Sequence, residues 1–318
     1  MISSTIGKAF HKALRKDLAE EFEQRALPLQ LGGRPHKAVQ QASQAMVAFT
    51  AWKRAEKQSH AVVFVDIKAA YYTLCRQIVT CTSDLDTAAI HLFDALGLPK
   101  TSFQDFVQWL TAEGELSLQN GDIYASHLTD ELLNSTWYGL KHDRRPSVTR
   151  KGSRPGDNVA DLIFSYGFKQ MLTKVIDTLR QQQLIEVISW TGRRDVLPVL
   201  PDSKAQAVEI LGPIWADDLA MLFSDEKPAR LLRKIRTATS LVHYHLKQTG
   251  MDINFAAGKT EAVIQLYGSE AKIHKQELLR HGQPCITLSQ DGPCLRIVPH
   301  YMCTWERYIG GREPCFPK

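Results

Sequence analysis

The sequence lacks any run of about 18 consecutive apolar residues. Its first eight residues, MISSTIGK, also lack the basic start and long apolar stretch of a secretory signal. These absences predict an intracellular protein with no membrane partner, in either the nucleus or the cytoplasm, and no obligate protein partner is evident. In a reducing compartment the six cysteines are expected to be free thiols.

Closely spaced cysteine pairs are missing as well, because the chain contains no C-x-x-C. Four of the six cysteines lie late in the chain near two histidines, His281 and His300. Zinc ligands usually come in close pairs, because a single turn presents both. The spacing therefore does not favour zinc, and free cysteines that are buried or lie on strands are the better interpretation.

A large excess of charge of one sign is also absent. Lys and Arg number 39 against 34 Asp and Glu, so the net charge is +5, which permits a nucleic-acid partner without requiring one. With 44% hydrophobic and 23% charged residues, the composition is that of a globular protein with a sizeable core. Internal repeats and low-complexity linkers are not seen, which leaves one large domain or two ordinary ones.

Helical and strand-like segments follow one another along the chain. Helices are predicted at residues 8–25, 37–57, 68–79, 159–179 and 228–248, with two or three more within 86–133. Strands are predicted at residues 61–66, 136–140, on both sides of 217–218, and in short pieces after 284. This order predicts an α+β fold with a mostly antiparallel sheet.

Acidic residues stand where two of these strands end. Asp66 ends the apolar segment AVVFVD, and Asp217 with Asp218 separates two apolar segments in the pattern of a hairpin with carboxylates at its turn. Each feature alone is also explained by a cap or a polar turn. In combination they offer rigid carboxylates, the hard oxygen ligands that two Mg²⁺ ions require for phosphoryl transfer.

Several motifs occur in order along nearly the whole chain, and together they resemble the reverse transcriptases of LINE-type (non-LTR) retrotransposons and, more distantly, of group II introns. The matching segments are residues 2–15, similar to an early fingers helix; 32–35 (GGRP), a turn; 64–72 (FVDIKAAYY), motif A; 152–157 (GSRPGD) with Ala160, Asp161 and Phe164, a variant motif B; 215–218 (WADD), motif C; and 250–254 (GMDIN) with 258–261 (GKTE), motif D.

This resemblance implies an RNA-directed DNA polymerase, a nucleotidyltransferase that adds dNTPs to a DNA primer on an RNA template. Two Mg²⁺ ions, or Mn²⁺ in their place, would be its cofactors. The implied fold is a right-hand polymerase palm, a ferredoxin-like antiparallel sheet with helices, plus partial helical fingers and little thumb. The expected division is 1–60 partial fingers, 61–80 palm with motif A, 81–135 helical fingers or palm insertion, 136–283 palm with motifs B, C and D, and 284–318 truncated primer-grip-like strands.

The resemblance also assigns roles to residues near motif A and motif C. Asp66 and Asp217 would bind both metals with Asp218 close by, and Ile67 could add its backbone carbonyl. Tyr71 would exclude a ribose 2′-OH and so select deoxynucleotides; the alternative is a core aromatic on the helix after the strand. Its neighbour Tyr72 is expected to lie in the core.

Three further residues receive roles from motifs B and D. Gly156 would let the backbone approach the nascent base pair, and Arg154 would contact template or nucleotide unless it is a solvated loop charge. Lys259 would protonate or neutralise the leaving pyrophosphate; the alternative is a surface lysine. A phosphate-binding P-loop is not expected, because position 253 is Ile where that motif needs glycine.

The resemblance weakens at both ends of the chain. The family's fingers strand, whose arginine grips the triphosphate, would precede Ile2, and residues 301–311 depart from the pattern that follows the primer grip. A piece of a longer retroelement protein or a decayed copy is therefore expected. A catalytically inactive remnant with weak nucleic-acid binding stays open as the alternative function, and a palm reused as a scaffold is a third.

Overall fold

The computed structural model describes residues 5–74, 76, 79, 93–94, 99–111, 123–133, 136–138, 147–149, 151–153, 157–190, 206–279, 285–289 and 292–298. The chain divides into two compact units. The first consists of Met1–Lys37, Ile67–Lys174 and His243–Ile253, and the second of Ala38–Asp66, Val175–Val242 and Asn254–Lys318. Each unit is described by itself.

The helices of the described residues carry most of the apolar periodicity seen in the sequence. They are α1 (Thr5–Arg25), α2 (Val39–Ala55), α3 (Ala70–Thr73), α4 (Phe103–Thr111), α5 (Ile123–Leu133), α6 (Ala160–Gln181), α7 (Pro228–Gln248) and α8 (Ala271–Leu279), with a 3-10 turn at Lys100–Ser102. In the first unit, α1 packs on α6. The Tyr166 hydroxyl donates to the Leu18 carbonyl at 2.9 Å, and the Phe22 ring meets the Tyr166 ring edge-on.

A six-stranded sheet organises the second unit. Its strands are β1 (Ser59–Val65), β6 (Ile214–Trp215), β7 (Asp218–Asp225), β8 (Glu261–Gln265), β9 (Cys285–Thr287) and β10 (Cys294–Val298), in the order β6-β7-β1-β8-β10-β9. Four of its five described pairings are antiparallel, and β8 with β10 is parallel. The α+β class and the mostly antiparallel sheet expected from the sequence are therefore confirmed.

Strand β1 lies at the centre of this sheet. All seven of its residues are buried, as the apolar segment at residues 61–65 predicts for a strand covered on both faces, and the polar Ser59 and His60 are buried with it. Helix α2 packs against β1 with Ala42, Met46 and Phe49 buried. Helix α7 follows β7 along the chain, and its buried Leu231, Ile235 and Ala238 recur at helical spacing.

Two segments differ from what the sequence predicts. The helix predicted at 68–79 stops after Thr73, because Leu74 has extended backbone angles that end the turn. A ribbon of β4 (Glu186–Trp190) and β5 (Gln206–Ile210), antiparallel to each other, was not predicted. A second two-stranded ribbon, β2 (Thr136–Tyr138) with β3 (Ser147–Thr149), contains the strand expected near 136–140.

A disulfide joins Cys285 to Cys294, so the expectation of free thiols is wrong for this pair. The antiparallel pairing of β9 with β10 brings the two Cα atoms to 6.0 Å, a separation that a disulfide spans. The sequence separation of nine residues concealed this proximity. Cys303 and Cys315 lie outside the described residues.

Within the described parts of the chain, no helix is both long enough and apolar enough to cross a membrane.

Candidate active site

Three aspartates meet at one end of the central strands of the second unit. The antiparallel register pairs Val65 with Leu219, so Asp66 follows β1 where Asp218 begins β7. Because β6 pairs Trp215 with Asp218, Asp217 lies in the two-residue loop that joins β6 to β7. The sequence prediction that a strand tip and a hairpin turn bring Asp66, Asp217 and Asp218 to the same place is supported by this register.

The turn that carries Asp217 holds an unusual backbone conformation. Ala216, the first loop residue, has φ 54°, in the left-handed region that residues other than glycine rarely occupy. Such a conformation costs roughly 1–2 kcal/mol and persists only where the surroundings enforce it. The strained Ala216 thus lies directly before Asp217 in the turn.

Gly212 permits the close approach that supports this hairpin. A Cβ at this position would lie 1.8 Å from the Ala220 carbonyl oxygen, and its φ of 140° also suits glycine. The flanking residues hold the approach in place, because the Pro213 carbonyl accepts from Ala220 N–H at 3.0 Å. Sequence reasoning did not single out Gly212, although a glycine followed by proline inside an apolar segment is a usable signal.

The electrostatics of the cluster disfavour full ionisation of the hairpin carboxylates. Burial, together with the charges of Asp217 and Asp66, raises the pKa of Asp218 to about 7. Burial and the charge of Asp66 also raise the pKa of Asp217. Like charges at short range oppose one another's ionisation. The electrostatics of the site therefore strongly favour a bound cation.

The Lys259 ammonium is one cation that lies close to these carboxylates. Its Nζ lies 3.5 Å from Asp66 Oδ1, and its charge opposes the rise in the pKa of both Asp217 and Asp218. The Lys259 side chain is 50% exposed, whereas that of Asp66 is 21% exposed. The Lys259 ammonium offsets only part of the charge that three ionised carboxylates would carry.

Thr260 and Asn254 hold the backbone of Asp66, and sequence reasoning missed this role for both. Thr260 is fully buried; its Oγ1 accepts the Asp66 N–H at 3.0 Å and lies 3.4 Å from the Asp66 carbonyl oxygen. Asn254 N–H donates to that same carbonyl at 2.8 Å, and Thr260 N–H donates to the Asn254 carbonyl. These contacts fix Asp66 immediately after β1. For Thr260, the sequence signal that could have indicated this role is its position directly after Lys259 of the predicted motif D.

The donor set has the chemistry of a site for a hard divalent cation. Carboxylate oxygens on rigid strand ends are what Mg²⁺ and Mn²⁺ prefer, and a bound cation would relieve the repulsion that raises the carboxyl pKa values. In the described residues, no three His, Cys, Asp or Glu side chains are drawn together closely enough to surround one ion. The residue types fit the expected metal. The side chains of the described residues do not, however, converge on one point as they would around a bound ion.

The remaining predicted residues belong to the first unit. Ile67 is buried and pairs with Ile253 in an isolated bridge. The Tyr71 ring is half-buried and stacks on Phe164 with centroids 4.6 Å apart. Tyr72 is 63% exposed, so its expected place in the core is wrong, because α3 is only one turn long and turns that side chain outward. Arg154 and Gly156 lie outside the described residues.

Gly152 and Arg76 tie the start of the predicted motif B to the segment after motif A. Gly152 has φ 81°, and a Cβ there would lie 2.6 Å from the Tyr71 carbonyl oxygen. The buried Arg76 guanidinium donates to the carbonyls of Gly152, Lys151 and Leu133. The sequence analysis assigned the close backbone approach to Gly156. It assigned no role to Arg76, because nothing in the helix predicted at residues 68–79 distinguished this residue.

No protein-family model matches this chain, and no curated protein matches it.

Proposed function

We propose that this chain is the fingers-and-palm part of an RNA-directed DNA polymerase of the LINE type, with Asp66, Asp217 and Asp218 as the residues that hold two divalent metal ions. The observation that carries the proposal is the register of β1, β6 and β7, which places the aspartates of motif A and motif C at one strand end. Two sequence segments 150 residues apart then contribute to one carboxylate cluster.

The topology of the sheet supports the palm assignment. Strands β7 and β8 flank β1, both are antiparallel to it, and α7 lies between them in sequence. Two such strands are parallel to each other, which makes β7-α7-β8 a split β-α-β unit around the strand that carries motif A. This is the arrangement that a ferredoxin-like palm requires.

The carboxylates would hold the metal ions in their ionised form, and their side chains would have to turn towards each ion while the hydrogen-bonded backbone of Asp66 stays in place. When bound, the two ions would lower the pKa of the primer 3′-hydroxyl and neutralise charge on the triphosphate. Lys259, half-exposed and 3.5 Å from Asp66, is placed to donate a proton or a positive charge to the leaving pyrophosphate.

Tyr71 is proposed as the residue that rejects ribonucleotides. Its ring is held by the stacking contact with Phe164, so a ribose 2′-OH would meet a fixed surface. Tyr71→Ala should accept ribonucleotides at least tenfold more readily than the parent, and Tyr71→Phe should not. Equal sugar selectivity in Tyr71→Ala and the parent would remove this role from Tyr71.

Primer extension tests the proposal as a whole. The purified chain is given an oligo(dT)-primed RNA template, dNTPs and Mg²⁺, beside Asp217→Asn and the matched control Asp177→Asn, whose side chain is exposed on α6. Extension by the parent and by the control, and loss of at least 10³-fold in Asp217→Asn, is expected. Extension by Asp217→Asn at the parental rate would overturn the metal-site assignment. No extension from a well-folded parent would favour the inactive remnant.

A further inference from the structure

A local excess of positive charge lies where β7 ends and α7 begins. Residues 225–236 contain five cations and two carboxylates, a balance of 5 − 2 = +3 in a chain whose net charge is +5. Four of the five cations recur every third residue and are exposed: Lys227, Arg230, Arg233 and Arg236. These four residues are called the basic face of α7.

Internal ion pairs account for only part of this charge. Asp225 is met by Lys234 at 3.1 Å and by Arg230 at 3.5 Å, which satisfies that buried carboxylate. Within the described chain, no carboxylate lies within 4.0 Å of a guanidinium nitrogen of Arg233 or Arg236. The second turn of α7 therefore presents uncompensated guanidinium groups to solvent.

The stability of the helix does not explain this arrangement. Cations spaced three residues apart on a helix repel one another, and cations near a helix N-terminus oppose its dipole. The first turn of α7 has no acidic residue to offset them. Asp225 and Glu226, directly before α7, offset part of this cost, but no acid stands near Arg233 and Arg236 in sequence, so helix stability does not account for these two cations.

We propose that the basic face of α7 binds the sugar-phosphate backbone of a nucleic acid, as a second contact surface separate from the carboxylate cluster. Successive cations are about 4.5 Å apart along the helix axis and turn by about 60° around it, so from Lys227, just before α7, they follow the helix surface over roughly 14 Å and about half a turn. A nucleic-acid backbone that runs across this surface meets several of them. Strand β7 separates it from Asp218 by about 23 Å, from seven rises of about 3.3 Å. The proposal therefore does not depend on catalysis.

Binding of a blunt-ended 30-base-pair RNA–DNA hybrid, labelled with fluorescein, tests the proposal. Anisotropy is measured for the full chain in EDTA at 50–200 mM salt, so that divalent ions cannot bridge the probe to the carboxylates. Arg233→Glu with Arg236→Glu should weaken binding at least tenfold and reduce the slope of log K against log salt by about two. The midpoint of thermal unfolding should be unchanged or higher, because the like-charged neighbours are removed.

A matched pair of reversals on α8 provides the control. Lys272→Glu with Lys275→Glu changes the net charge equally, and both lysines are exposed. This control should bind within twofold of the parent, and Arg233→Lys with Arg236→Lys within threefold, since a phosphate accepts either cation. Equal loss in both reversed pairs, or no loss in the α7 pair, would overturn the proposal. Binding to phosphatidylserine vesicles but not to the hybrid would overturn it in favour of a membrane surface.

Discussion

The two ends of strand β7 carry the same residue type in opposite electrostatic states. Asp218 at the first end is half-buried, and burial together with the charges of Asp217 and Asp66 raises its pKa to about 7. Asp225 at the second end is buried, yet hydrogen bonds from the Lys227 N–H and the Lys234 ammonium outweigh burial and lower its pKa. Burial raises the pKa of both carboxyls, so the opposite outcome at Asp225 follows from its hydrogen-bond donors and cations.

The second end contains a further satisfied carboxylate. Glu186, buried on β4, accepts the Ser224 hydroxyl at 2.5 Å and the Ser224 N–H at 2.8 Å, and the buried Lys53 Nζ lies 3.4 Å from its Oε1. The buried Asp225 and Glu186 therefore each have a cation and hydrogen-bond donors. Carboxylates whose charge is matched by cations and hydrogen-bond donors stabilise the fold. Carboxylates that lack such partners indicate a place where a cation can bind.

Lys53→Met should give the largest effect on stability. The variant removes the cation from a buried carboxylate and should lower the free energy of unfolding by about 3–5 kcal/mol, as is usual when one partner of a buried ion pair is lost. Urea unfolding followed by circular dichroism measures the change. A loss below about 1 kcal/mol would show that Glu186 depends on the Lys53 ammonium no more than an exposed carboxylate depends on its cation.

The double variant Lys53→Met with Glu186→Gln is the control for that prediction. Because it removes both charges, it should recover more than half of the loss. If the double variant is no more stable than Lys53→Met, lost packing of the lysine stem, and not an uncompensated charge, would be the cause.

Asp218→Asn should raise the free energy of unfolding, whereas Lys53→Met should lower it. The raised pKa means that the folded protein resists ionising Asp218, so stability falls as pH rises from the ordinary value of 3.8 through about 7. In metal-free buffer at pH 8 the amide should therefore raise the free energy of unfolding by about 2 kcal/mol. At pH 2.5 the gain should disappear, because the Asp218 carboxyl of the parent is then largely protonated in both the folded and the unfolded state.

Divalent cations provide the control for this prediction. Saturating Mg²⁺ or Mn²⁺ should stabilise the parent and narrow its difference from Asp218→Asn, since a ligand that binds only the folded state stabilises it. A variant that is less stable than the parent at pH 8 without metal would contradict the picture of a strained carboxylate cluster.

Thr260→Val should produce a smaller loss that separates positioning from metal binding. The valine removes the acceptor of the Asp66 N–H and should cost about 1–2 kcal/mol of stability. If the polymerase proposal holds, kcat should fall by roughly tenfold with little change in the KM for dNTP, because Asp66 is misplaced but not removed. Thr260→Ser, which keeps the hydroxyl, should stay near the parent in both measurements.

Regular elements and the place of the aspartates could be predicted because they follow from local patterns. The unbroken apolar run before Asp66 predicts a buried strand, and the apolar segments around Asp217 predict a hairpin. The helix of residues 228–248 matches the prediction at both ends. The division 1–60, 61–80, 81–135, 136–283 and 284–318 stays a prediction.

Contacts between distant segments could not be predicted. Asp66 and Thr260 are 194 residues apart, and only the pairing of β1 with β8 brings them together. The disulfide of Cys285 likewise depends on the pairing of β9 with β10. Some partners that set the pKa values of Asp218 and Asp225 are local in sequence, such as Asp217 and Lys227, whereas Asp66 reaches Asp218 only through the pairing of β1 with β7.

Asp225→Asn gives the smallest expected effect and the sharpest contrast with Asp218→Asn on the same strand. The pKa of Asp225 is lowered from 3.8, so its ionised form stabilises the fold above that pH and the contribution is lost as pH falls below it. The amide should therefore cost about 1 kcal/mol at pH 7 and almost nothing at pH 2.5. Urea unfolding of both variants across this range should give two curves of opposite sign. If both variants shift stability in the same direction at pH 7–8, burial alone would govern the two aspartates, and the partners at the second end would not matter.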